Sequence, residues 1–342
     1  MKVVTVQNRR AEWDSFVHAC DDATAYHRFD WKAVFSKSFG HPCHYLAAID
    51  DHGEWQGILP LVHMRSRIFG NFMVSLPFVN YGGLLCQNEA VAALLLEEAE
   101  KLRRSCGATH VELRHIARRP ENLPTKRHKV TMVLKLAGSA DDQWKVFDPK
   151  LRNQIRKAQK NGLEFRHGRL DLIDGFYEVF ARNMRDLGTP VYAKQFFRHV
   201  METFPDTTAI LVVMHEGKMI AAGLASWFKG RIEIPWASSI KDYKTFCPNH
   251  MLYWEAIRFA IEHGFGEFDF GRSTPNEGTY NFKKQWGALP ITLNWQYLLD
   301  EQGQIPELNP SNPKYQLAIR VWQCLPVAVS KLFGPLIVRN IP

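Results

Sequence analysis

Apolar and polar positions along the chain follow patterns that predict alternating strands and helices. In the first half, short apolar runs bounded by turn residues predict strands at 45–49 and 56–64. Apolar residues at helical spacing predict a helix over 90–106 that ends at Gly107, and a strand follows at 111–114. Strand, turn, long strand, helix and strand therefore succeed one another in this half.

The second half repeats this order of elements. We predict helices at 171–187, 194–203 and 249–263, strands at 209–214, 219–228, 231–238 and 267–270, and a hairpin turn at 215–218. The repeated order indicates an α/β protein with two similar, mixed-sheet domains. We expect a first domain over 1–145, a second over 146–300 and a tail over 301–342.

The tail combines apolar and aromatic residues with scattered basic ones. Its most apolar part, 325–338, is interrupted by Lys331 and Pro335 and is too short to span a bilayer. We expect the tail to pack on the second domain or to lie on a membrane surface. In both cases we expect a cytoplasmic protein, and in the second case its contact with the membrane is peripheral.

The chain has 342 residues, of which 46% are hydrophobic and 23% charged, as is ordinary for a globular protein. Its formal net charge of +8 favours an anionic partner. Coenzyme A, a nucleotide-linked sugar, a lipid-linked precursor, tRNA and an anionic membrane surface all have the required sign, and no DNA partner is expected.

Cysteine and histidine positions give no metal-binding pattern in the sequence. The six cysteines are scattered without a Cys-x-x-Cys pair, and no apolar leader follows Met1. Both observations indicate a reducing cytoplasm. The segment His41-Pro-Cys-His44 offers too few ligands at unsuitable spacing, so we expect a surface turn there and no metal site.

Two neighbouring segments give the most specific indication of a catalytic site. Phe268-Asp-Phe-Gly-Arg-Ser-Thr274 reads as a buried strand with polar residues at its carboxyl end, and Phe282-Lys-Lys-Gln-Trp-Gly287 places two lysines between aromatics. A lysine between aromatic walls loses water, so its charge acts more strongly on a nearby oxyanion. The alternative is a strand edge with a solvated lysine pair.

These motifs resemble the FemAB family of aminoacyltransferases and the broader BioF2-like, GNAT-related acyltransferases. The chain is most similar to FemAB-like proteins associated with XrtA/PEP-CTERM exopolysaccharide systems. The segments that carry the closer resemblance are Leu187-Gly-Thr-Pro-Val-Tyr192, the helix around Tyr253-Trp254, Asn312-Pro-Lys-Tyr315, Leu325-Pro326, Gly334-Pro335 and, more loosely, 75–83. The resemblance implies tandem GNAT-like domains, and it identifies Lys283 with the catalytic lysine of the Phe-Lys motif.

A basic helix is predicted next to the expected domain boundary. Arg152 and Arg156 are four residues apart and share one face, with Lys160 one turn further on. Such a face can hold a phosphate, and an ordinary solvated helix is the alternative. The resemblance includes a basic helix ending in glycine at this place, so we expect these three side chains to face a cleft.

Further candidates for substrate binding are Tyr192, Arg272, Ser273, Phe282 and Trp286. Tyr192 follows a rigid turn and either lines a pocket or packs the turn itself. Residues 241–250, where conventional GNAT enzymes hold the pyrophosphate of coenzyme A in a glycine-rich loop, contain no glycine. Cofactor-binding residues are therefore unassigned, and no tightly bound cofactor is expected.

The sequence and the resemblance together imply a transferase of acyl or aminoacyl groups. An amino group of a cell-envelope or exopolysaccharide precursor would attack an activated carbonyl, Lys283 would stabilise the oxyanion, and Asp269 or Glu233 would orient groups or accept a proton. Acyl-CoA and aminoacyl-tRNA are both open as donors. The rival hypothesis is a catalytically silent scaffold that binds sugar-linked precursors in an exopolysaccharide export complex.

Overall fold

The computed structural model describes residues 1–116, 122–300, 303–306 and 313–342. The chain forms two compact units, the first comprising 1–129, 292–308 and 339–342, and the second 130–291 and 309–338. Each unit holds one sheet with both parallel and antiparallel neighbours. The predicted mixed α/β class is confirmed.

The first unit begins with a strand and two helices and then builds its sheet. Its elements are β1 (Lys2–Thr5), α1 (Arg10–Ala19), α2 (Trp31–Phe39), β2 (Cys43–Ile49), β3 (Trp55–Ser66), β4 (Gly70–Val74), β5 (Leu85–Cys86), α3 (Glu89–Ser105), β6 (His110–His115) and β7 (Thr125–Lys126). Helix α3 starts where the Asn88 side chain accepts a hydrogen bond from the Val91 N–H, and Gly107 follows its end with φ +61°. The predicted helix and strands of this half are confirmed.

The second unit contains the second sheet. Its elements in chain order are β8 (Val130–Lys135), α4 (Ala140–Val146), α5 (Pro149–Lys160), β9 (Glu164–Gly168), α6 (Ile173–Asp186), α7 (Lys194–Thr203), β10 (Thr208–His215), β11 (Lys218–Phe228), β12 (Arg231–Ser239), α8 (Pro248–Glu262), β13 (Glu267–Ser273), α9 (Gly278–Lys284) and β14 (Leu289–Thr292). The last three elements along the chain are β15 (Asn294–Leu299), which belongs to the first unit, and α10 (Pro313–Gln323) and α11 (Val327–Val338).

The order of strands in the second sheet is β14-β8-β13-β12-β11-β10-β9. The predicted hairpin joins β10 to β11, where Glu216 and Gly217 both have positive φ. Helices α5 and α8 share one apolar core with alternate residues of β8, β10 and β13. Helix α6 contacts β11 and β12 with side chains outside that core, which places it on the other face of the sheet.

Two strands pair in the sheet of the other unit from the one in which their position in the sequence would place them. Strand β8 lies within the range 1–145 expected for the first domain, yet it pairs with β13 in the second sheet. Strand β15 lies within 146–300, yet it pairs with β6 and β7 in the first sheet. Apolar alternation marks a strand but carries no information about its partner, so the contiguous boundaries do not follow the sheets.

Three local expectations are corrected by the structure. The turn-forming residue types of Gly138-Ser-Ala-Asp-Asp142 predict a turn, but this segment starts helix α4, because the Ser139 hydroxyl accepts a hydrogen bond from the Asp142 N–H. The Lys283 segment is helical, in α9, so it does not extend as a strand edge. His41 is buried rather than at a surface turn, and β2 starts at Cys43.

The tail forms two helices where the structure describes it, and Asn312 of the resemblance lies outside the described residues. Helix α11 turns Ser330, Gly334 and Val338 inward, and Gly334 lies against Val191. None of the described helices has both the length and the apolar character needed to cross a membrane.

Candidate active site

Strands β12 and β13 run parallel but remain paired over only three residues. Arg231 is paired with Glu267, Ile232 with Phe268 and Glu233 with Asp269. Both strands continue beyond these pairs, β12 to Ser239 and β13 to Ser273, without pairing to each other. The strands therefore part after Glu233 and Asp269.

Two carboxylates lie where the strands part. Phe268 and Phe270 belong to the core under α8, so alternation sends the Asp269 side chain to the opposite face of the sheet. Glu233, the residue paired with Asp269, lies between the core residues Ile232 and Ile234 and also points to that opposite face. Both carboxylates are buried, Asp269 completely.

The Asp269 carboxylate also shapes the end of its own strand. Its Oδ1 accepts hydrogen bonds from the Thr131 hydroxyl at 2.6 Å and from the Gly271 N–H at 2.8 Å. The pairing of β13 with β8 is irregular between Asp269 and Arg272, where Gly271 has φ +73°. Glycine meets this backbone demand without the strain of a Cβ atom. The irregularity turns the last residues of β13 relative to the first.

Lys283 brings a positive charge to the end of β13. Its neighbours Phe282 and Trp286 pack against Tyr253 of α8, which anchors α9. The Lys283 ammonium is buried and donates to the carbonyl oxygens of Gly271 and Arg272, each at 2.9 Å. A lysine has three N–H donors, so one is left without a partner among the described residues.

Burial lowers the pKa of Lys283 to about 8, while the nearby carboxylates of Asp269 and Glu233 oppose this shift. At neutral pH the ammonium is therefore still mostly protonated, although it is only 7% exposed. A desolvated cation with a free N–H is the kind of group that stabilises negative charge developing on a carbonyl oxygen.

Arg272 and Ser273 lie on different faces of the sheet. Arg272 is paired with Thr131, so its half-buried side chain is on the face of the two carboxylates. Ser273 is paired with the core residue Val130, and its buried hydroxyl has no hydrogen-bond partner among the described residues. The structure thus brings Arg272, but not the Ser273 side chain, to the face that carries the carboxylates.

An open cleft of about 900 Å³ lies beside α9. The cleft is lined by Phe282 and Trp286, which belong to the predicted site, and by Lys150 and Gln154 of α5. Lys284 is exposed at this cleft, whereas the ammonium of Lys283 points to the carbonyls at the end of β13. Phe282 and Trp286 therefore separate the cleft from the core and support Lys283.

The basic helix α5 forms as the sequence predicts. Asp148 caps it, Pro149 is its first residue, and Gly162 follows its end with φ +69°. Arg156 is exposed, lies 5.3 Å from the centre of the Trp144 ring and donates to Asn153. Lys160 is exposed and Arg152 half-buried, and none of the three lines the cleft beside α9.

Tyr192 occupies the turn between α6 and α7. Its carbonyl accepts a hydrogen bond from the Tyr177 hydroxyl, and its ring lies 5.2 Å from that of Phe196 and 6.1 Å from that of Phe197. These contacts describe packing of the turn, one of the two alternatives open from the sequence.

The glycine-free segment before α8 folds into a 3-10 turn at Lys241–Phe246. Cys247 then adopts φ +60° at the start of α8, a conformation that usually favours glycine, and its thiol lies 3.0 Å from the Gln154 side-chain oxygen. Lys241 and Lys244 are exposed.

Thr131 is the member of this site that sequence reasoning missed. It is a lone threonine in an apolar strand, and β8 was expected in the other sheet, so no local pattern connected it with Asp269. The sequence did single out Lys283, Arg272, Asp269 and Glu233, which the structure brings to the carboxyl end of β13 and its neighbour.

Comparison with known proteins assigns a domain to this region. Residues 148–284 match the family described as an acetyltransferase (GNAT) domain. The Lipid II:glycine glycyltransferase of Staphylococcus haemolyticus is 28% identical over 128 residues, which make up 35% of this chain and 28% of that protein. Its namesake in Staphylococcus aureus is 26% identical over 113 residues, or 31% of this chain and 25% of the relative. The matches thus cover about a quarter of the length of these curated relatives.

Solved structures show the same fold at low identity. The crystal structure of FemX matches with a TM-score of 0.65 and 15% identity, covering 86% of this chain and 97% of that one. A tandem GNAT protein from the clavulanic acid biosynthesis pathway matches with a TM-score of 0.56 and 10% identity, covering 89% and 99%. These findings confirm the tandem GNAT fold, and with the domain match they support a FemAB-like transferase. The chain thus has the tandem GNAT fold, and its residues 148–284 are similar to the family described as an acetyltransferase (GNAT) domain.

Proposed function

We propose that the protein transfers an acyl or aminoacyl group to an amino group of a cell-envelope or exopolysaccharide precursor. The observation that carries this proposal is the buried Lys283 ammonium, which bonds two carbonyls at the end of β13 and has a third N–H without an acceptor in the part of the chain that the structure describes. A donor carbonyl inserted between the two strands would place its oxygen within reach of that N–H.

In the proposed reaction the acceptor nitrogen attacks the donor carbonyl carbon and forms a C–N bond. The Lys283 ammonium stabilises the tetrahedral oxyanion, and Glu233 or Asp269 accepts the proton released by the amine. When the oxyanion collapses, the C–S bond of a thioester or the C–O bond of an aminoacyl ester breaks, and the leaving group takes up a proton. Arg272, on the face of the carboxylates, contacts the acceptor.

Two donors fit the proposal. The GNAT domain match favours an acyl-CoA as the donor. An acyl-CoA would bind and leave as a co-substrate, in keeping with the expectation of no tightly bound cofactor. The relatives named as Lipid II:glycine glycyltransferases favour transfer of an aminoacyl group. The FemAB resemblance and the missing glycines before α8 favour an aminoacyl-tRNA as the donor of that group. The same relatives support a lipid-linked acceptor. The resemblance to XrtA/PEP-CTERM-associated proteins narrows our proposal to an exopolysaccharide system.

The donor is identified by a transfer assay with two labelled substrates. Purified protein is incubated with [14C]acetyl-CoA or with [14C]glycyl-tRNA, together with an amino-sugar or lipid II acceptor, and label in the acceptor is measured. We expect transfer from one of the donors with wild-type protein and its loss with Lys283→Met. Binding of nucleotide sugars without binding or consumption of either donor would instead favour the silent scaffold.

We further propose that the tail contacts the cytoplasmic membrane face. Leu332, Phe333 and Leu336 of α11 are exposed on the side opposite its buried residues, and Leu317 and Val321 of α10 are exposed as well. Large apolar side chains grouped on adjacent helices are typical of interfacial binding, and a membrane location would suit a lipid-linked acceptor.

Vesicle sedimentation tests the membrane proposal. The wild-type protein should sediment with phosphatidylglycerol-containing vesicles, and Phe333→Asp should release most of it. Ile68→Asp is the matched control, since Ile68 is an exposed apolar residue of the first unit. Equal sedimentation of all three proteins would contradict the proposal, as would failure of the wild type to sediment.

A further inference from the structure

Three side chains of metal-ligating types meet in the first unit, whereas the residues of the proposed transferase site belong to the second unit. They are His44 of β2, His63 of β3 and Cys106, which directly follows α3. One possible ligand atom from each lies within 4.8 Å of the others. All three residues are partly buried.

The fold explains how residues so distant in sequence meet. Strands β2 and β3 are antiparallel neighbours, His44 is paired with Leu61, and the His63 N–H donates to the carbonyl of Pro42. The two imidazole rings have their centres 6.3 Å apart. The end of α3 brings Cys106 to the same place.

Asn71 of β4 connects two of the three ligands. Its Oδ1 lies 2.5 Å from the Nε2 atom of His63, and its Nδ2 donates to the carbonyls of Cys106 and Gly107, each at 2.9 Å. The amide thus holds the His63 ring relative to the chain segment that carries Cys106. Metal-ligating histidines commonly have such an orienting hydrogen bond through their other ring nitrogen.

His44 contributes an independent sign of a ligand. Its Nε2 atom is buried and has no hydrogen-bond partner among the described residues. A buried polar atom without a partner has lost its hydrogen bonds to water, and a coordinated cation would remove this cost.

We propose that His44, His63 and Cys106 form a zinc-binding site. Two imidazoles and a thiolate suit this borderline-soft cation, and three protein ligands leave a fourth position for water. Tetrahedral zinc needs ligand atoms about 3.3–3.6 Å apart, given bonds of about 2.0–2.3 Å. The present spacing of up to 4.8 Å requires shifts of roughly 1 Å, within the reach of side-chain rotation.

Titration of the full-length protein with Zn²⁺ and with Co²⁺ tests the site. We expect one equivalent of Zn²⁺ to bind with micromolar or tighter affinity, and Co²⁺ to give a thiolate-to-metal charge-transfer band. Cys106→Ser should abolish that band, and His44→Ala should weaken Zn²⁺ binding at least about tenfold. Asn71→Ala should weaken binding by about 10–100-fold while retaining the band.

The controls separate this site from other thiols and imidazoles. Cys20→Ser and His52→Ala, in the same unit, should leave the affinity for Zn²⁺ unchanged. Zn²⁺ should also protect Cys106, but not the exposed Cys324, from alkylation by iodoacetamide, as mapped by mass spectrometry. Unchanged Zn²⁺ affinity in Cys106→Ser and His44→Ala, or no specific binding by the wild type, would overturn the proposal. Circular dichroism of the metal-free variants verifies that they are folded.

Discussion

Replacing Lys283 by methionine should abolish turnover while leaving the protein folded. Holding the Lys283 ammonium in its buried position, with its pKa lowered from 10.5 to about 8, costs about 3 kcal/mol relative to water. Methionine is of similar length and removes this cost, but it leaves the carbonyls of Gly271 and Arg272 without this donor, at about 1 kcal/mol each. We therefore expect the free energy of unfolding to change by no more than about 1 kcal/mol.

The effect on catalysis should be much larger than the effect on stability. Loss of one oxyanion donor lowers the turnover rate by about 10²–10³-fold. The measurement is label transfer at saturating acceptor, with urea unfolding of the same preparations. Lys284→Met is the matched control, because the Lys284 side chain is exposed outside the carboxylate cluster. A damaging Lys284→Met with a silent Lys283→Met, or two silent changes, would refute the catalytic assignment and favour the scaffold.

The pH dependence of rate and stability should have opposite signs. Oxyanion stabilisation needs the protonated ammonium, so the rate should fall as the pH rises through about 8, the pKa of Lys283. Because the unfolded chain keeps this proton up to about pH 10.5, it binds more protons than the folded state between these values. Stability of the wild type relative to Lys283→Met should therefore rise across that window. In Lys283→Arg, any residual activity should lose the alkaline fall, and a fall that persists would assign it to another group.

Two further predictions concern other parts of the chain. A Cβ atom at Gly83 would lie 2.0 Å from the buried ring of His115, whose Nε2 accepts from the Leu84 N–H, so Gly83→Ala should destabilise by about 2–4 kcal/mol in urea unfolding. Gly138→Ala, with nothing within 4 Å, is the control, and equal stability of the two variants would contradict the packing argument. Arg156→Glu should weaken binding of the anionic donor and make the residual binding less sensitive to salt, measured by titration at several salt concentrations. An unchanged salt dependence would indicate that α5 is simply a solvated helix.

Local signals in the sequence were sufficient for most elements but not for their assembly. The helix at 89–105 and the hairpin at 215–218 follow from apolar spacing and turn residues, which are properties of a few neighbouring positions. The exchange of β8 and β15 between sheets depends on partners that are distant in the chain, and no local pattern encodes it.

The candidate site divides in the same way. Lys283 and Arg272 lie in a motif, so the sequence identified them, and the aromatics that anchor α9 were part of the same signal. Thr131 could be recognised only once β8 was known to pair with β13. The direction of the Ser273 side chain likewise depends on the irregularity at Gly271, which shifts the register of the pair.

The place of β15 between β6 and β7 bears on how the chain is made by the ribosome. Residues 110–115 emerge long before 294–299, so one edge of β6 has no native partner while the intervening chain is synthesised. Open edges attract wrong strands, and charged side chains on an edge discourage this. Glu112 and Arg114 place an ion pair on β6, and β15 contacts both members of it, with Tyr297 donating to Glu112 and Trp295 stacking on Arg114. The two charges, which are of the kind that discourages wrong pairing at an open edge, are thus part of the buried interior of the folded first unit.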